Sequence, residues 1–232
     1  MSEDNSLFLT GDGSHSISSG KFGVSYHSRH GAIQETQHVF IDAGLRFKAV
    51  QKQAISILEI GFGTGLNALM TFLEAAKRNL HIHYHTIEAY PIDPVFLDQF
   101  NYIEILAGEQ PISLDAPIAN VAFRQMHELP WNKDHRLDPP FHFHKVLGLF
   151  ETVPFPSGIE LVYFDAFAPN AQAEFWEVPF LQKVYDCMAV DGALVTYCAK
   201  GSFKRNLKAV GFTVERLPGP PGKREMTRAL KL

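Results

Sequence analysis

Mainly apolar runs separated by amphipathic stretches dominate the chain from residue 51 onward. The run Ile55–Ile60 is typical of a strand that is buried on both faces of a sheet, Ile159–Phe164 is a similar apolar run, and Ile82–Ile87 is predicted as a further strand. The stretch Leu66–Arg78 repeats its apolar residues at helical spacing. Because strands alternate with helices, the pattern predicts an α/β fold with a mostly parallel sheet and helices on both faces.

The remaining elements follow from shorter patterns. We predict further helices at Pro94–Leu106, Phe175–Val190 and Ser202–Val210. Charged residues and prolines in Trp131–Pro140 indicate an inserted loop. Further strands are predicted at Val121–Gln125, Phe141–Val146, Ala193–Ala199, Phe212–Arg216 and Thr227–Lys231.

Residues 1–50 have a different texture, with short extended runs around a turn. The turn is Thr10-Gly11-Asp12-Gly13-Ser14, and the runs Ser6–Leu9 and His38–Asp42 read as strands. We therefore predict a small N-terminal β decoration over residues 1–50 on a core over residues 51–232. The length fits one domain that spans residues 1–232.

Composition and charge narrow the function classes. The chain is 46% hydrophobic and 20% charged, which is typical of a globular protein, and no apolar stretch is long enough to span a bilayer. The acidic N-terminus and two cysteines predict a reduced, cytoplasmic protein. The net charge of −4 disfavours a general nucleic-acid binder, but residues 198–232 hold nine Lys/Arg against two Glu. Phosphate contacts need only such local charge.

A glycine-rich loop follows the first core strand, where open α/β sheets bind ligands. Its sequence, Glu59-Ile60-Gly61-Phe62-Gly63-Thr64-Gly65-Leu66-Asn67, lacks the spacing of a dinucleotide fingerprint and the Lys-Ser/Thr pair of a phosphate loop. It resembles the first motif of Rossmann-like methyltransferases, which implies S-adenosylmethionine as the cofactor. Glu88 ends the second strand, where its carboxylate can accept hydrogen bonds from both ribose hydroxyls.

Asp165 follows the strand Ile159–Phe164 and is the candidate catalytic residue. Methyl transfer needs an in-line nucleophile with a free lone pair about 3 Å from the methyl carbon. An amine with a lysine-like pKa must lose its proton, which costs roughly 4–5 kcal/mol at pH 7. A carboxylate can orient such an amine and take up the proton.

Several motifs occur in a fixed order along the chain. They are SYHSRHGAIQETQHVF (25–40), EIGFGTGLN (59–67), IEAYP (87–91), DAFAP (165–169), FW (175–176) and GKREM (222–226). In this order they resemble one family, the methyltransferase half of MnmC and its stand-alone MnmD relatives, and the resemblance covers residues 26–226. It implies a class I methyltransferase fold with a seven-stranded sheet. It also implies methylation of the 5-aminomethyl group of a modified (2-thio)uridine at the tRNA wobble position, with the anticodon region of tRNA as partner.

The resemblance also assigns residues to roles. It places Phe167 where its ring can stack on a base. The implied cofactor residues are Glu59, Gly61, Phe62, Gly63, Gly65, Asn67, Glu88, Leu149 and Asp165, and the implied substrate residues are Tyr26, Glu35, Phe167, Pro169, Lys223 and Arg224.

Two departures from the family pattern matter. The chain ends too soon to hold the FAD-dependent domain of the fused members, so a separate enzyme is expected to supply the aminomethyl group. Relatives often have Gly-Asp where this chain has Gly148-Leu149, so a side-chain contact to adenine is expected to be replaced by the backbone.

Two other functions remain open at this point. One is methyl or aminopropyl transfer to a small-molecule amine, which the net charge favours. The other is a non-catalytic scaffold with a degenerate cofactor fold, which only Leu149 supports. The alternating histidines at 81, 83 and 85 and at 142 and 144 lack the further ligands of a metal site, and Cys198 has no evident catalytic partner, so neither group is assigned a function.

Overall fold

A computed structural model describes residues 5–109, 116–138 and 140–232, and within them the chain forms ten strands and seven α-helices. The helices are α1 (Ala32–Thr36), α2 (Phe47–Ala49), α3 (Leu66–Arg78), α4 (Tyr102–Glu109), α5 (Ala116–Glu128), α6 (Val178–Cys187) and α7 (Gly201–Val210). The strands are β1 (Ser6–Leu9), β2 (His15–Ser18), β3 (Ala54–Ile60), β4 (His81–Glu88), β5 (Lys133–Leu137), β6 (Phe141–Leu147), β7 (Ile159–Phe164), β8 (Met188–Thr196), β9 (Thr213–Pro218) and β10 (Glu225–Lys231).

Eight of the strands form one sheet in the order β5-β6-β4-β3-β7-β8-β10-β9. The five inner strands from β6 to β8 run parallel, and β5, β10 and β9 pair antiparallel at the two sides. The α/β class with a mostly parallel sheet is therefore confirmed. The sheet has eight strands, not the seven that the resemblance implied.

Helices cover both faces of this sheet, as predicted. Because neighbouring residues of a strand point to opposite faces, Ile57 packs with α3, α5 and the helical segment 32–49, whereas Leu58 packs with α6 and α7. The chain order reverses between β3 and β7, since β4 and β6 lie on one side of β3 and β7 and β8 on the other. Such a reversal leaves a crevice at the carboxyl ends of the strands.

The N-terminal decoration is only partly β. The hairpin β1-β2 is present, with Ser6 opposite Ser18, and residues 1–4 lie outside the described part. The predicted strand at His38–Asp42 is wrong, because these residues belong to a wide helical segment, Gln37–Arg46, that continues α1. Val39, Phe40 and Ile41 are buried against the sheet. A short buried run of this kind does not distinguish a strand from a helix.

Two other predictions in the core are also wrong. Val121–Gln125 lies inside α5, where Ala122, Phe123 and Met126 form one buried face. The predicted loop Trp131–Pro140 holds β5, whose charged residues lie at the exposed edge of the sheet; Pro139 is outside the described residues. An edge strand needs few apolar residues, so its pattern resembles a loop.

The predicted helices also differ in extent. Pro94–Leu106 is split into a 3₁₀ turn, Pro94–Gln99, and α4. Phe175–Val190 begins within a 3₁₀ turn, Ala173–Trp176, continues through α6, and its last residues begin β8. In the described part of the chain, no helix combines the length and apolarity needed to cross a lipid bilayer.

Candidate functional site

The register of the sheet brings three predicted residues to one place. Ile60 lies beside Ile87 of β4 and beside Phe164 of β7. The residues that follow these three in sequence are Gly61, Glu88 and Asp165, so all three lie at the same edge. Asp165 therefore lies beside the start of the glycine loop.

The glycine loop adopts a backbone that few other residues allow. Gly61, Gly63 and Gly65 have φ angles of 93°, 53° and 75°. A Cβ on Gly65 would also lie 2.7 Å from Nε2 of His127. The loop therefore requires glycine both for its turn and for its contact with α5.

Glu88 connects this loop to the end of β4. Its side chain is buried, and its two carboxylate oxygens accept hydrogen bonds from the amides of Gly63 (2.9 Å) and Tyr90 (2.8 Å). Burial raises the pKa of Glu88, and the backbone amides around it oppose this effect. The carboxyl group is held rigidly at the wall of the cavity beside the loop.

Asp165 is held by a short chain of hydrogen bonds. Asn67 of α3 donates from Nδ2 to its carboxylate (2.8 Å), and Thr36 donates to Oδ1 of Asn67 (3.0 Å). Burial in the cleft wall and the nearby carboxylate of Glu35 raise the pKa of Asp165 well above its usual value, against the opposing effects of Asn67 and Lys223. Its carboxylate is therefore a stronger proton acceptor than an ordinary aspartate.

This raised pKa predicts that Asp165 lowers the stability of the free protein at neutral pH. A carboxyl with a raised folded-state pKa stabilises the fold most at acidic pH, and this stability is lost as the pH rises from about 3.9 through the folded-state pKa. We expect Asp165→Asn, whose amide oxygen can still accept from Asn67, to raise the Tm at neutral pH by about 2 °C or more. Thermal unfolding measured across pH should show this gain shrinking toward about pH 4. A lower Tm for the variant at neutral pH contradicts this prediction.

Together these groups border one cavity at the carboxyl ends of the strands. The predicted cofactor residues that line it are Gly61, Phe62, Gly63, Asn67, Glu88 and Asp165. Tyr90 and Phe150 also line it, although the sequence analysis did not select them. Tyr90 lies two residues after Glu88 and Phe150 one residue after Leu149, and this closeness to predicted site residues was the signal available in the sequence.

Three of the predicted cofactor residues lie away from the cavity surface. Glu59 is fully buried behind the loop, where it accepts a hydrogen bond from Thr86 (2.7 Å) and burial raises its pKa. Gly65 supports the turn against His127. Leu149 is 48% exposed and does not line the cavity; its neighbour Phe150 does.

A second cavity adjoins the first, and Tyr26, His27 and Phe167 line both. The ring of Phe167 packs against Tyr26, with centroids 5.0 Å apart. The second cavity is also lined by Glu35, Tyr197 and Lys223. Four of the six predicted substrate residues therefore border this one space.

A partly buried ion pair crosses the second cavity. Lys223 donates to Oε2 of Glu35 (2.5 Å), and Oε1 of Glu35 accepts from the amide of Ser28 (3.1 Å). The Lys223 ammonium also lies 4.0 Å from the centre of the Tyr197 ring. Sequence analysis selected both charged residues but gave no sign of this pairing across 188 positions.

The two remaining substrate residues, Pro169 and Arg224, line a third and more open cavity together with Lys200 and Lys223. Arg224 and Lys200 are exposed. Other cations of the basic C-terminal segment are already paired, Lys204 with Glu225 and Arg228 with Glu215. The outer rim therefore carries the exposed cations Lys200 and Arg224, and Arg205, Lys208 and Arg216 are exposed elsewhere in the segment.

The features that were not assigned a function remain unassigned. His83 and His142 stack at 4.5 Å on a partly exposed part of the sheet. Within the described ranges, no group of three or more His, Cys, Asp or Glu could hold a metal ion. Burial raises the pKa of the Cys198 thiol, which makes it a poor nucleophile.

Comparison with known proteins shows which proteins the chain is similar to. Residues 123–232 match a family model described as S-adenosyl-L-methionine-dependent methyltransferase. The chain is 30% identical over 212 residues to the tRNA 5-methylaminomethyl-2-thiouridine biosynthesis bifunctional protein MnmC of Cupriavidus metallidurans. This alignment covers 88% of the chain but only 31% of that protein, so the chain spans just under a third of its length.

Two solved structures share the fold. The crystal structure of MNMC2 from Aquifex aeolicus matches with a TM-score of 0.77 and 22% identity, covering all of this chain and 71% of that one. A probable spermidine synthase from Corynebacterium glutamicum matches with a TM-score of 0.52 and 16% identity, covering 98% of this chain and 77% of that one. At these identities both likenesses concern the fold alone.

Proposed function

We propose that the chain is an S-adenosylmethionine-dependent methyltransferase related to MnmC and that it methylates the 5-aminomethyl group of a modified wobble uridine in tRNA. The observation that carries this proposal is the run of three adjoining cavities. The first is built like a nucleoside site, and the last ends at an exposed basic rim. A small amine would need no such rim, whereas a polyanionic substrate would.

The first cavity fits the cofactor by the chemistry of its groups. Glu88 offers a fixed carboxylate to a ribose diol, and Tyr90 and Phe150 offer ring surfaces to an adenine. Asn67 and Asp165 lie beside the glycine loop, where they would face the methionine end. When bound, S-adenosylmethionine supplies an electrophilic methyl group on a sulfonium.

Residues of the chain would then bind the amine, take up its proton and exclude water from it. Asp165 accepts a hydrogen bond from the amine and takes up its proton, for which its raised pKa suits it. Tyr26 and Phe167 separate the two cavities and keep bulk water from the nucleophile. Effective alignment of this kind supplies much of the rate in a reaction that needs little covalent help.

The proposal also has two wider parts. Residues 1–232 would act as one methyltransferase domain, and a separate enzyme would supply the aminomethyl group. Both stay predictions, as does a cytoplasmic location.

The deciding experiment incubates the purified protein with labelled cofactor and tRNA that carries 5-aminomethyl-2-thiouridine. Mass analysis of the wobble nucleosides should show one labelled methyl group on the aminomethyl nitrogen. Matched tRNA without the aminomethyl group is the control, and small amines are offered in parallel. Label that enters only the small amines would replace this proposal with the small-molecule alternative.

We expect the basic rim to contribute to tRNA binding by neutralising phosphates. Replacing Lys223 and Arg224 by alanine should weaken binding and flatten its salt dependence, by about one unit of the logarithmic slope for each phosphate that is no longer neutralised. Lys208→Ala is the matched control, because this exposed lysine of α7 lines none of the three cavities. Binding titrations at several salt concentrations give the slopes, and a slope unchanged in the double variant would exclude both residues as phosphate ligands.

A further inference from the structure

His27 lies at the junction of the first two cavities and has no role in the proposed transfer. Its side chain is nine-tenths buried, yet it lines both cavities. One ring nitrogen, Nδ1, is 3.0 Å from the hydroxyl of Ser16 in β2. The other, Nε2, has no hydrogen-bond partner among the described residues, so it is the ring atom available to a ligand.

The hydrogen-bond pattern determines which nitrogen carries the proton. Burial lowers the pKa of His27 to about 4, so the ring is neutral at physiological pH and has one N–H. Ser16 is fully buried, and Nδ1 of His27 is the acceptor available to its hydroxyl among the described residues. If Nδ1 carried the proton, this hydroxyl would be left without an acceptor, which is unfavourable in a buried place. Ser16 therefore donates to Nδ1, and Nε2 is an N–H donor.

We propose that His27 determines base specificity by donating its Nε2–H to the carbonyl oxygen beside the aminomethyl-bearing carbon of the substrate base. This inference rests on the proposed function and deepens it. The amine needs an acceptor, which Asp165 provides from the lining of the first cavity, and His27 lines this cavity as well. The neighbouring ring carbon of a uracil carries an acceptor oxygen, so a neutral donor that shares this cavity with Asp165 matches the pair of groups that the base presents.

The same donor rejects the other pyrimidine. A cytosine carries an amino group at that ring carbon, so its N–H would meet the N–H of His27. Two facing donors leave both unpaired in a buried site, which costs more than the loss of one hydrogen bond. We therefore expect His27 to separate uracil from cytosine rather than to accelerate the transfer itself.

The test uses two anticodon stem-loop RNAs that differ only in the wobble base, one with 5-aminomethyluridine and one with 5-aminomethylcytidine. The wild-type protein should bind the uridine RNA about 10-fold more tightly. His27→Phe keeps the ring but removes the donor, so affinity for the uridine RNA should fall by about 3- to 10-fold and the preference should nearly vanish. His27→Gln keeps an N–H donor at similar reach and should retain most of the uridine affinity.

The Tm shows whether each variant is folded. The affinity for the cofactor should stay within about 2-fold of the wild type. The double variant Ser16→Ala/His27→Phe removes the orphaned hydroxyl and covers the case in which the single variant misfolds. A base preference unchanged in these variants, or a loss confined to cofactor affinity, overturns the inference. A wild-type protein that methylates neither RNA overturns the proposed function as well.

Discussion

Replacing Asp165 by asparagine is expected to slow methyl transfer by about two decades or more while cofactor affinity stays near normal. Asparagine preserves the shape and can still accept from Asn67, so the cavity wall remains in place. It has no basic oxygen of comparable strength, so the amine loses both its proton acceptor and its orientation. The loss should therefore appear in kcat and not in cofactor binding.

Single-turnover rates with saturating cofactor and tRNA measure this loss directly. Asp186→Asn, an exposed position on α6, is the matched control and should leave the rate unchanged. A normal rate for Asp165→Asn would remove this residue from the catalytic role. Glu35, the carboxylate that lines the second cavity, would then be the next residue to test.

Replacing Glu88 by alanine is expected to have the opposite pattern, with cofactor affinity falling by about 100-fold or more. Two hydrogen bonds from a ribose diol to a carboxylate would be lost, each worth about 1.5–3 kcal/mol. The amides of Gly63 and Tyr90 would also lose their acceptors, which loosens the loop. At saturating cofactor the transfer rate should recover much of its normal value, because Asp165 is untouched.

Calorimetric titration with the cofactor gives the affinity, and thermal unfolding shows whether the fold is intact. Glu104→Ala, an exposed glutamate of α4, serves as the control for loss of a carboxylate. An affinity within about 3-fold of the wild type would mean that Glu88 is only a loop anchor and not a ligand of the ribose.

The sequence predicted the elements that form the centre of the fold. Ile55–Ile60 and Ile159–Phe164 are buried on both faces, so most of their positions are apolar and the pattern indicates strands. Leu66–Arg78 was predicted with the observed bounds from its apolar periodicity, and in the structure left-handed residues at Gly65 and Asn79 mark both ends.

The predictions failed where tertiary packing overrides a short pattern. His38–Asp42 is a buried run inside a helix, and β5 is a charged strand at an edge. Neither differs locally from the alternative that was predicted. Their assignment depends on what packs against them, which a few residues of sequence do not show.

The candidate site also contains residues that the sequence could predict and others that it could not. Gly61, Glu88 and Asp165 could be predicted because each ends or follows a recognisable strand. The pairing of Glu35 with Lys223 and the junction position of His27 depend on contacts between distant parts of the chain. No spacing rule relates such residues, so only the fold could reveal them.

Lys223 is already paired with Glu35 in the free protein, so it is not an unpaired cation. An anion that binds Lys223 must displace the buried carboxylate of Glu35. The net binding free energy is therefore only the difference between the interaction of Lys223 with the anion and its interaction with Glu35. A phosphate group therefore gains less from Lys223 than from the exposed Arg224. A molecule that brings its own ammonium group can satisfy the released carboxylate as it engages the lysine. The free protein is thus already biased toward substrates that carry both signs of charge.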